Sequence, residues 1–181
     1  MKKLFSVLVA LAMFTVPLNA ADLGGKRIEI GSDTTYPPHE FIEDGKVVGF
    51  DVDVVAEICK RINCEPIWVS TAWDGIFPAL ADGQFDMVVS GVTITEERDK
   101  IVDFSDPYII VQQGVLMRVD DVGKTIDDFK SGDMRLASQT GTTNSALGEE
   151  LVGRDNLKLF DAFNTSFSLA PKFKITNLFP S

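Results

Sequence analysis

Apolar residues recur along this chain with two alternating periods. Between Lys26 and Asp33, Ile28 and Ile30 alternate with polar neighbours and the run stops at Gly31, which predicts a buried first strand. A loop containing Pro37 and Pro38 follows, then a strand pair turned at Asp44-Gly45. Val55, Ile58, Cys59 and Ile62 fall at the spacing of one helix face. "EPIWVS" reads as the next strand. Trp73, Ile76, Phe77 and Leu80 repeat the helical spacing, with Pro78 near the first turn, where its missing N–H does least harm, and Gly83 as the stop. "FDMVVS" closes the series as a strand. Strand, helix, strand, helix, strand is the order of a mainly parallel sheet covered by helices. Ligands gather beyond the carboxyl ends of such strands, where Asp33, Ser90 and Thr93 fall.

The first residues have a different pattern. Lys2 and Lys3 precede the almost wholly apolar run Leu4 to Val16, and "PLNAAD" ends in small residues, so residues 1–20 read as a secretory signal peptide cut after Ala20 or Ala21. The alternative is an uncleaved N-terminal anchor, against which the shortness of the run counts. No Cys follows the run, which disfavours a lipid anchor. Cleavage takes two lysines and no acid from a chain of net charge −10, leaving −12. That balance argues against binding nucleic acid or an anionic membrane surface. It leaves small ligands open, because one buried site can carry the opposite sign. The two cysteines, Cys59 and Cys64 in "ICKRINC", can oxidise to a local disulfide in an exported chain if the native geometry closes so short a ring. No metal site is expected, since His39 is the only histidine and two Cys do not complete a tetrahedral zinc site.

The stretch "SGVTITEERDK", Ser90 to Lys100, draws attention because of its arginine. Thr95 reads as the N-cap of a short helix whose first turn holds Glu96 and Glu97. A cation there is mildly unfavourable with the helix dipole. The Arg98 guanidinium therefore calls for an anion, which is either an internal carboxylate such as Glu97 or Asp99, or a ligand. Local chemistry alone favours the internal pair.

Four segments, "GSDTTYPPHEF", "GKVVGFDVDVVAEICKRI", "WDGIFPALADGQFDMVVSGVTITEERDKIVDFSDPYI" and "LASQTGTTNSALGEEL", resemble in order and separation the family-3 extracellular solute-binding proteins, periplasmic amino-acid receptors that feed ABC importers. The likeness runs from about Ile28 to Phe163. It implies an α/β, periplasmic-binding-protein-like fold of two lobes joined at a hinge, with hinge bending around the ligand. On this chain it places lobe one at 22–112, a crossover near "IIVQQG", and lobe two from 113. It also implies an amino-acid ligand, an ABC permease as partner, a periplasmic monomer, no cofactor and no enzymatic activity.

The resemblance carries roles onto matching positions. Arg98 corresponds to the arginine that clamps the ligand carboxylate through two parallel charge-assisted hydrogen bonds. Thr93 would offer its N–H and hydroxyl to the ligand's α-carboxylate and α-amino groups, and Ser90, followed by Gly91 in the same turn, its carbonyl to the amine. Tyr36 and Trp73 match the aromatic positions that sandwich the ligand. Asp33 matches a position contacting polar or basic side chains, which leans toward lysine, arginine or glutamine. In the second lobe, the N–H groups of Thr142 and Thr143 in "QTGTT" match those that meet the carboxylate at a helix N-terminus. Each has a plainer reading. Trp73 also fits as core, Tyr36 as turn packing, Asp33 as a turn cap, and Thr140 to Thr143 as an ordinary helix entrance. His39 reads as an exposed loop histidine outside the ligand contacts.

"TIDD", Thr125 to Asp128, has a capping-box pattern, while "MRLAS" and "NLKLF" read as strands. Beyond Asp161 the chain has no acid, while Lys172 and Lys174 appear among phenylalanines. The likeness fades there, so lobe two, 113–181, is expected to be incomplete, with a divergent tail from about 169 in which "NTSFSLAPKFKITNLFPS" begins as a helix and then loses it. The aspartate that in the family accepts the ligand ammonium has no counterpart, and weak ligand binding is the resulting expectation. Two other classes stay open: a catalytic relative resembling a cyclohexadienyl dehydratase, and a non-functional fragment.

Overall fold

The computed structural model describes residues 21–167 and 173–176. The signal-peptide reading of 1–20 lies outside them, as does most of the tail from 169. In the first lobe, β1 (Lys26–Ser32) is followed by β2 (Thr35–Tyr36) and the hairpin of β3 (Glu40–Glu43) and β4 (Lys46–Val48). Helix α1 (Phe50–Ile62) returns the chain to β5 (Cys64–Ser70), and α2 (Ile76–Ala81) carries it to β6 (Met87–Val88). β1 is the middle strand of a parallel sheet in the order β5-β1-β6, with Ile30 opposite both Trp68 and Met87. The alternation along β1 therefore has a helix layer on each side to fill. Ile30, Val55, Cys59 and Val89 pack toward α1, and Trp73, Ile76, Ala79 and Phe85 form the cluster around α2.

Helix α1 starts without a side-chain cap. Instead its first N–H groups, on Phe50 and Asp51, donate to the carbonyls of Pro38 and His39, each at 3.0 Å. The turn before β3 thus lies across the helix N-terminus and satisfies donors that have no partner within the helix. Gly49 is required at that crossing: its φ is +135°, and a Cβ would stand 2.2 Å from the His39 carbonyl oxygen. Asn63 ends the helix in the left-handed region, its N–H returning to Cys59 O. Cys59 and Cys64 form a disulfide between the last turn of α1 and the first residue of β5.

Two local expectations need correction. Ile58, placed by spacing on the core face of α1, is 48% exposed. It sits about 60° around the helix from Val55, and a sheet of three strands covers only the central stripe carrying Val55 and Cys59. The helix expected after Thr95 is a single 3-10 turn, Arg98–Lys100. Thr95 does cap it, its hydroxyl accepting the Arg98 N–H at 3.2 Å, but Ile101 leaves helical geometry and no strand or helix follows until Val115.

The second lobe contains β7 (Val115–Arg118), α3 (Ile126–Lys130), β8 (Leu136–Gln139), α4 (Thr143–Val152), β9 (Leu157–Phe160), α5 (Phe163–Phe167) and β10 (Phe173–Thr176). β8 and β9 pair in parallel across the α4 crossover, and β10 pairs antiparallel with β7. Its own core gathers Met117, Phe129, Leu151, Val152 and Leu157. The Asp128 carboxylate accepts from the N–H and hydroxyl of Thr125, at 2.7 and 2.9 Å, which begins α3 where the capping-box pattern places it. The helix expected in "NTSF" is α5, and within the tail the described residues 173–176 form a strand.

Candidate functional site

A cleft between the lobes is lined by residues from the carboxyl ends of β1 and β6, the start of α2's approach, the crossover and the N-terminus of α4. From the first lobe, Asp33, Tyr36, Trp73, Ser90 and Gly91 face it, together with Thr93 and Arg98. From the second, Thr142 and Thr143 do. The structure thus brings all nine sequence-named positions to one cavity. Gln113, Gln139, Asn144 and Phe163 also line it and were not foreseen. Gln139 and Asn144 flank "TGTT" and Gln113 lies in the crossover stretch "IIVQQG", which were the available signals; Phe163 lies over a hundred residues from its ring partner Tyr36 and carried none.

Arg98 is half-buried, and burial holds its guanidinium below its ordinary pKa. Among the described residues no carboxylate forms an ion pair with it. Nη1 donates to Thr93 O at 2.8 Å and Nη2 to Gly141 O at 3.3 Å, while the guanidinium carbon lies 5.2 Å from the Trp73 ring and 5.3 Å from that of Phe77. The internal pairing with Glu97 or Asp99, favoured by local chemistry, is therefore corrected. The 3-10 turn directs the long side chain inward over Trp73, whereas Glu97 and Asp99 stay at the surface. Trp73 is core, as its plainer reading has it, and also lines the cavity. Its side chain belongs to the buried α2 cluster, and its Nε1 donates to Gly141 O at 3.0 Å across the cleft.

Asp33 is buried at 4% exposure. Oδ1 accepts from the N–H and hydroxyl of Thr35 at 3.1 and 2.7 Å, so the turn-cap reading holds for that oxygen. Oδ2 accepts from Gln139 Nε2 of the other lobe at 2.5 Å. On the far wall, Thr142 caps α4, its hydroxyl accepting the Ser145 N–H at 3.1 Å. That arrangement leaves the N–H groups of Thr143 and Asn144 at the positive helix end beside the cavity.

His39 requires the largest correction. Its side chain is 12% exposed rather than an open loop residue, stacks on Tyr36 at 4.9 Å, and places Nδ1 3.3 Å from Asp51 Oδ1. The antiparallel pairing of Tyr36 with Glu40 folds the intervening turn back over α1, which buries the ring. Behind the cleft, Glu40 and Asp51 are fully buried. Ser90 Oγ donates to Glu40 Oε1 at 2.5 Å and accepts the Asp33 N–H at 3.0 Å. Asp51 Oδ2 accepts from Gly91 N–H at 2.7 Å and from the Tyr108 hydroxyl at 2.9 Å, and burial beside that carboxylate raises the Tyr108 phenol well above its usual pKa.

Two α/β lobes with a cavity between them, a guanidinium with no carboxylate partner among the described residues on one wall and a helix N-terminus on the other, define a solute-binding architecture. Residues 28–172 match the model of the bacterial extracellular solute-binding proteins, family 3. A probable histidine-binding protein of Neisseria gonorrhoeae is 37% identical over 136 residues, covering 75% of this chain and 50% of that protein. The ABC transporter arginine-binding protein 1 of Escherichia coli K12 is 34% identical over 169 residues, covering 92% of this chain and 66% of its own length. A solved structure, an ancestral arginine-binding protein bound to glutamine, superposes with a TM-score of 0.74 at 34% identity over 83% of this chain and 68% of that one. The chain belongs to family 3 of the bacterial extracellular solute-binding proteins. It spans about half to two thirds of the length of these curated relatives, which are named as binding proteins and not as enzymes.

Proposed function

We propose that the cleft binds a polar or cationic amino acid for delivery to an ABC permease, and that the chain works in the periplasm after removal of residues 1–20. The observation that carries this reading is Arg98. A half-buried guanidinium that faces the cleft with carbonyl and ring partners, and with no carboxylate among the described residues, retains donors suited to a carboxylate, and the N–H groups of Thr143 and Asn144 approach the same cavity. Asp33 is the sole carboxylate among the described residues lining it. A ligand with one carboxylate and one cationic or hydrogen-donating group matches both ends, and an amino acid is the smallest such molecule. The names of the arginine- and histidine-binding relatives favour the cationic members of that class.

In this reading Tyr36 and Trp73 flank the ligand's aliphatic part, Ser90, Gly91 and Thr93 meet its polar head, and the lobes, 22–112 and 113 onward, close by bending near 109–114. Calorimetric titration of the mature chain with L-arginine, L-lysine, L-histidine and L-glutamine tests it, carried to millimolar ligand. Saturable binding of at least one, lost with Arg98→Met, is expected. Heats indistinguishable from buffer for all four sink the reading.

A further inference from the structure

The fully buried carboxyls Glu40 and Asp51 stand directly behind the turn that presents Ser90 and Gly91 to the cleft. Their oxygens and His39 nitrogen come within 4.8 Å of one another. Glu40 Oε1 accepts from the Ser90 hydroxyl, but among the described residues Glu40 Oε2 is buried without a donor. Asp51 is supplied on both sides: Oδ2 takes Gly91 N–H and the Tyr108 hydroxyl, and Oδ1 faces His39 Nδ1. Two adjacent buried carboxylates would repel each other in a low-dielectric setting, whereas a single proton turns the same contact into an O–H···O⁻ hydrogen bond. Both Asp51 oxygens therefore already have a polar neighbour. The remaining proton belongs on the oxygen that has no other partner.

We infer that Glu40 is a neutral carboxylic acid at physiological pH, that its Oε2–H donates to Asp51, and that this shared-proton pair is a positioning device holding the Ser90-Gly91 turn in place. Glu40 touches no ligand in this scheme. It fixes the Ser90 hydroxyl, which in turn receives the Asp33 N–H, while Asp51 fixes the Gly91 N–H. Burial, reinforced by the nearby charges of Asp51 and Asp33, pushes the Glu40 carboxyl up to about 9. The other ionisable groups around the pair are His39, Tyr36 and Tyr108.

A carboxyl that keeps its proton to about pH 9 when folded, against an ordinary value of 4.5, makes the folded state the more protonated one between those limits. Its contribution to stability is then complete at and below the lower value and falls as pH rises toward the upper one, by up to about tenfold in the unfolding constant per pH unit. Glu40→Gln keeps the shape and donates an N–H to Asp51, and removes that dependence. Urea unfolding of the mature chain at about pH 5.5 and 7.5 should therefore show the variant's pH slope differing from the unaltered chain's by about one proton, or about a hundredfold in relative unfolding constant over the two units. Infrared spectra of the unaltered chain at neutral pH should contain a protonated-carboxyl band that Glu40→Gln lacks. The unaltered chain alone can overturn the inference even if a variant folds poorly, because an absent band there needs no variant to read, and Glu40→Leu gives a second comparison for assigning a band that is present.

Equal slopes, an absent band, or unfolding shifted by a chelator (the mark of a cation between the carboxylates) would overturn the inference. The effect on ligand rests on the cleft reading: Glu40→Gln should bind L-arginine or L-histidine more tightly than Glu40→Leu does. If no amino acid binds the unaltered chain, the cleft reading fails while the slope and the band still decide this one.

Discussion

The two walls of the cleft solve one problem with different means. The first-lobe wall is held from behind by side chains: Ser90 bonds Glu40 and the Asp33 N–H, while Asp51 bonds the Gly91 N–H and the Tyr108 hydroxyl, so two buried carboxyls stand beneath the turn at Ser90-Gly91. The second-lobe wall relies on backbone. The α4 N-terminus offers N–H groups whose direction is fixed by the helix and by one capping hydroxyl. A network of buried polar groups is costly when any member is left unsatisfied, whereas a helix end tolerates the loss of a neighbour. The first wall should therefore be brittle and the second forgiving, although each lobe has its own core.

The largest test concerns those cores. Phe129 is 1% exposed at the centre of the second-lobe cluster, so Phe129→Ala should cost about 3–5 kcal/mol. Hydrogen exchange should locate the loss in β7, β8 and α4, with β1 and β5 keeping their protection. Uniform loss over both sheets would mean that the lobes unfold as one unit and would remove the basis of the comparison. Next comes Arg98→Met. It should weaken binding of the cognate amino acid by about a hundredfold or more, since two charge-assisted hydrogen bonds are lost, each worth about 1.5–3 kcal/mol. The melting temperature should move little, because the guanidinium's internal partners are carbonyls at the cleft surface; a large stability loss with retained affinity would recast Arg98 as a structural residue.

Brittleness is probed by Gly91→Ala. Gly91 has φ +54°, and a Cβ would lie 2.8 Å from the Tyr36 ring, so the substitution should cost about 1–2 kcal/mol and displace that ring. Thr142→Ala should cost about 1 kcal/mol through loss of the cap and leave ligand affinity within about fivefold. Chemical denaturation and titration of the two variants side by side measure the contrast. If Thr142→Ala proves the more damaging, the assignment of rigid and forgiving walls is reversed.

Much of this was legible from residue order. The alternation at Ile28 and Ile30, the stripe at Val55 and Cys59, and the Thr125 box each report a local period or cap, and local signals survive translation into three dimensions. The clustering of Asp33, Trp73, Ser90 and Thr93 followed from strand ends and from family likeness. Glu40 and Asp51 were not legible as a pair. Eleven positions separate them, one on a strand and one at a helix start, and nothing in either segment marks them as neighbours. His39 was misread for the same reason. A proline-flanked histidine looks exposed until the turn that carries it is seen lying over α1.

Sequence alone pointed to the family through the likeness of its motifs, and to the α/β order through periodicity and turn residues, because these are properties of neighbouring positions; nine of the positions lining the cleft came with that likeness and strand ends, and others, such as Phe163, did not. Only the tertiary structure decided that Arg98 has carbonyls and rings rather than a carboxylate for company, and that two acids share one buried site. Both are facts about which groups meet once separate elements pack together, and the energy of a charge depends on the groups that surround it after folding.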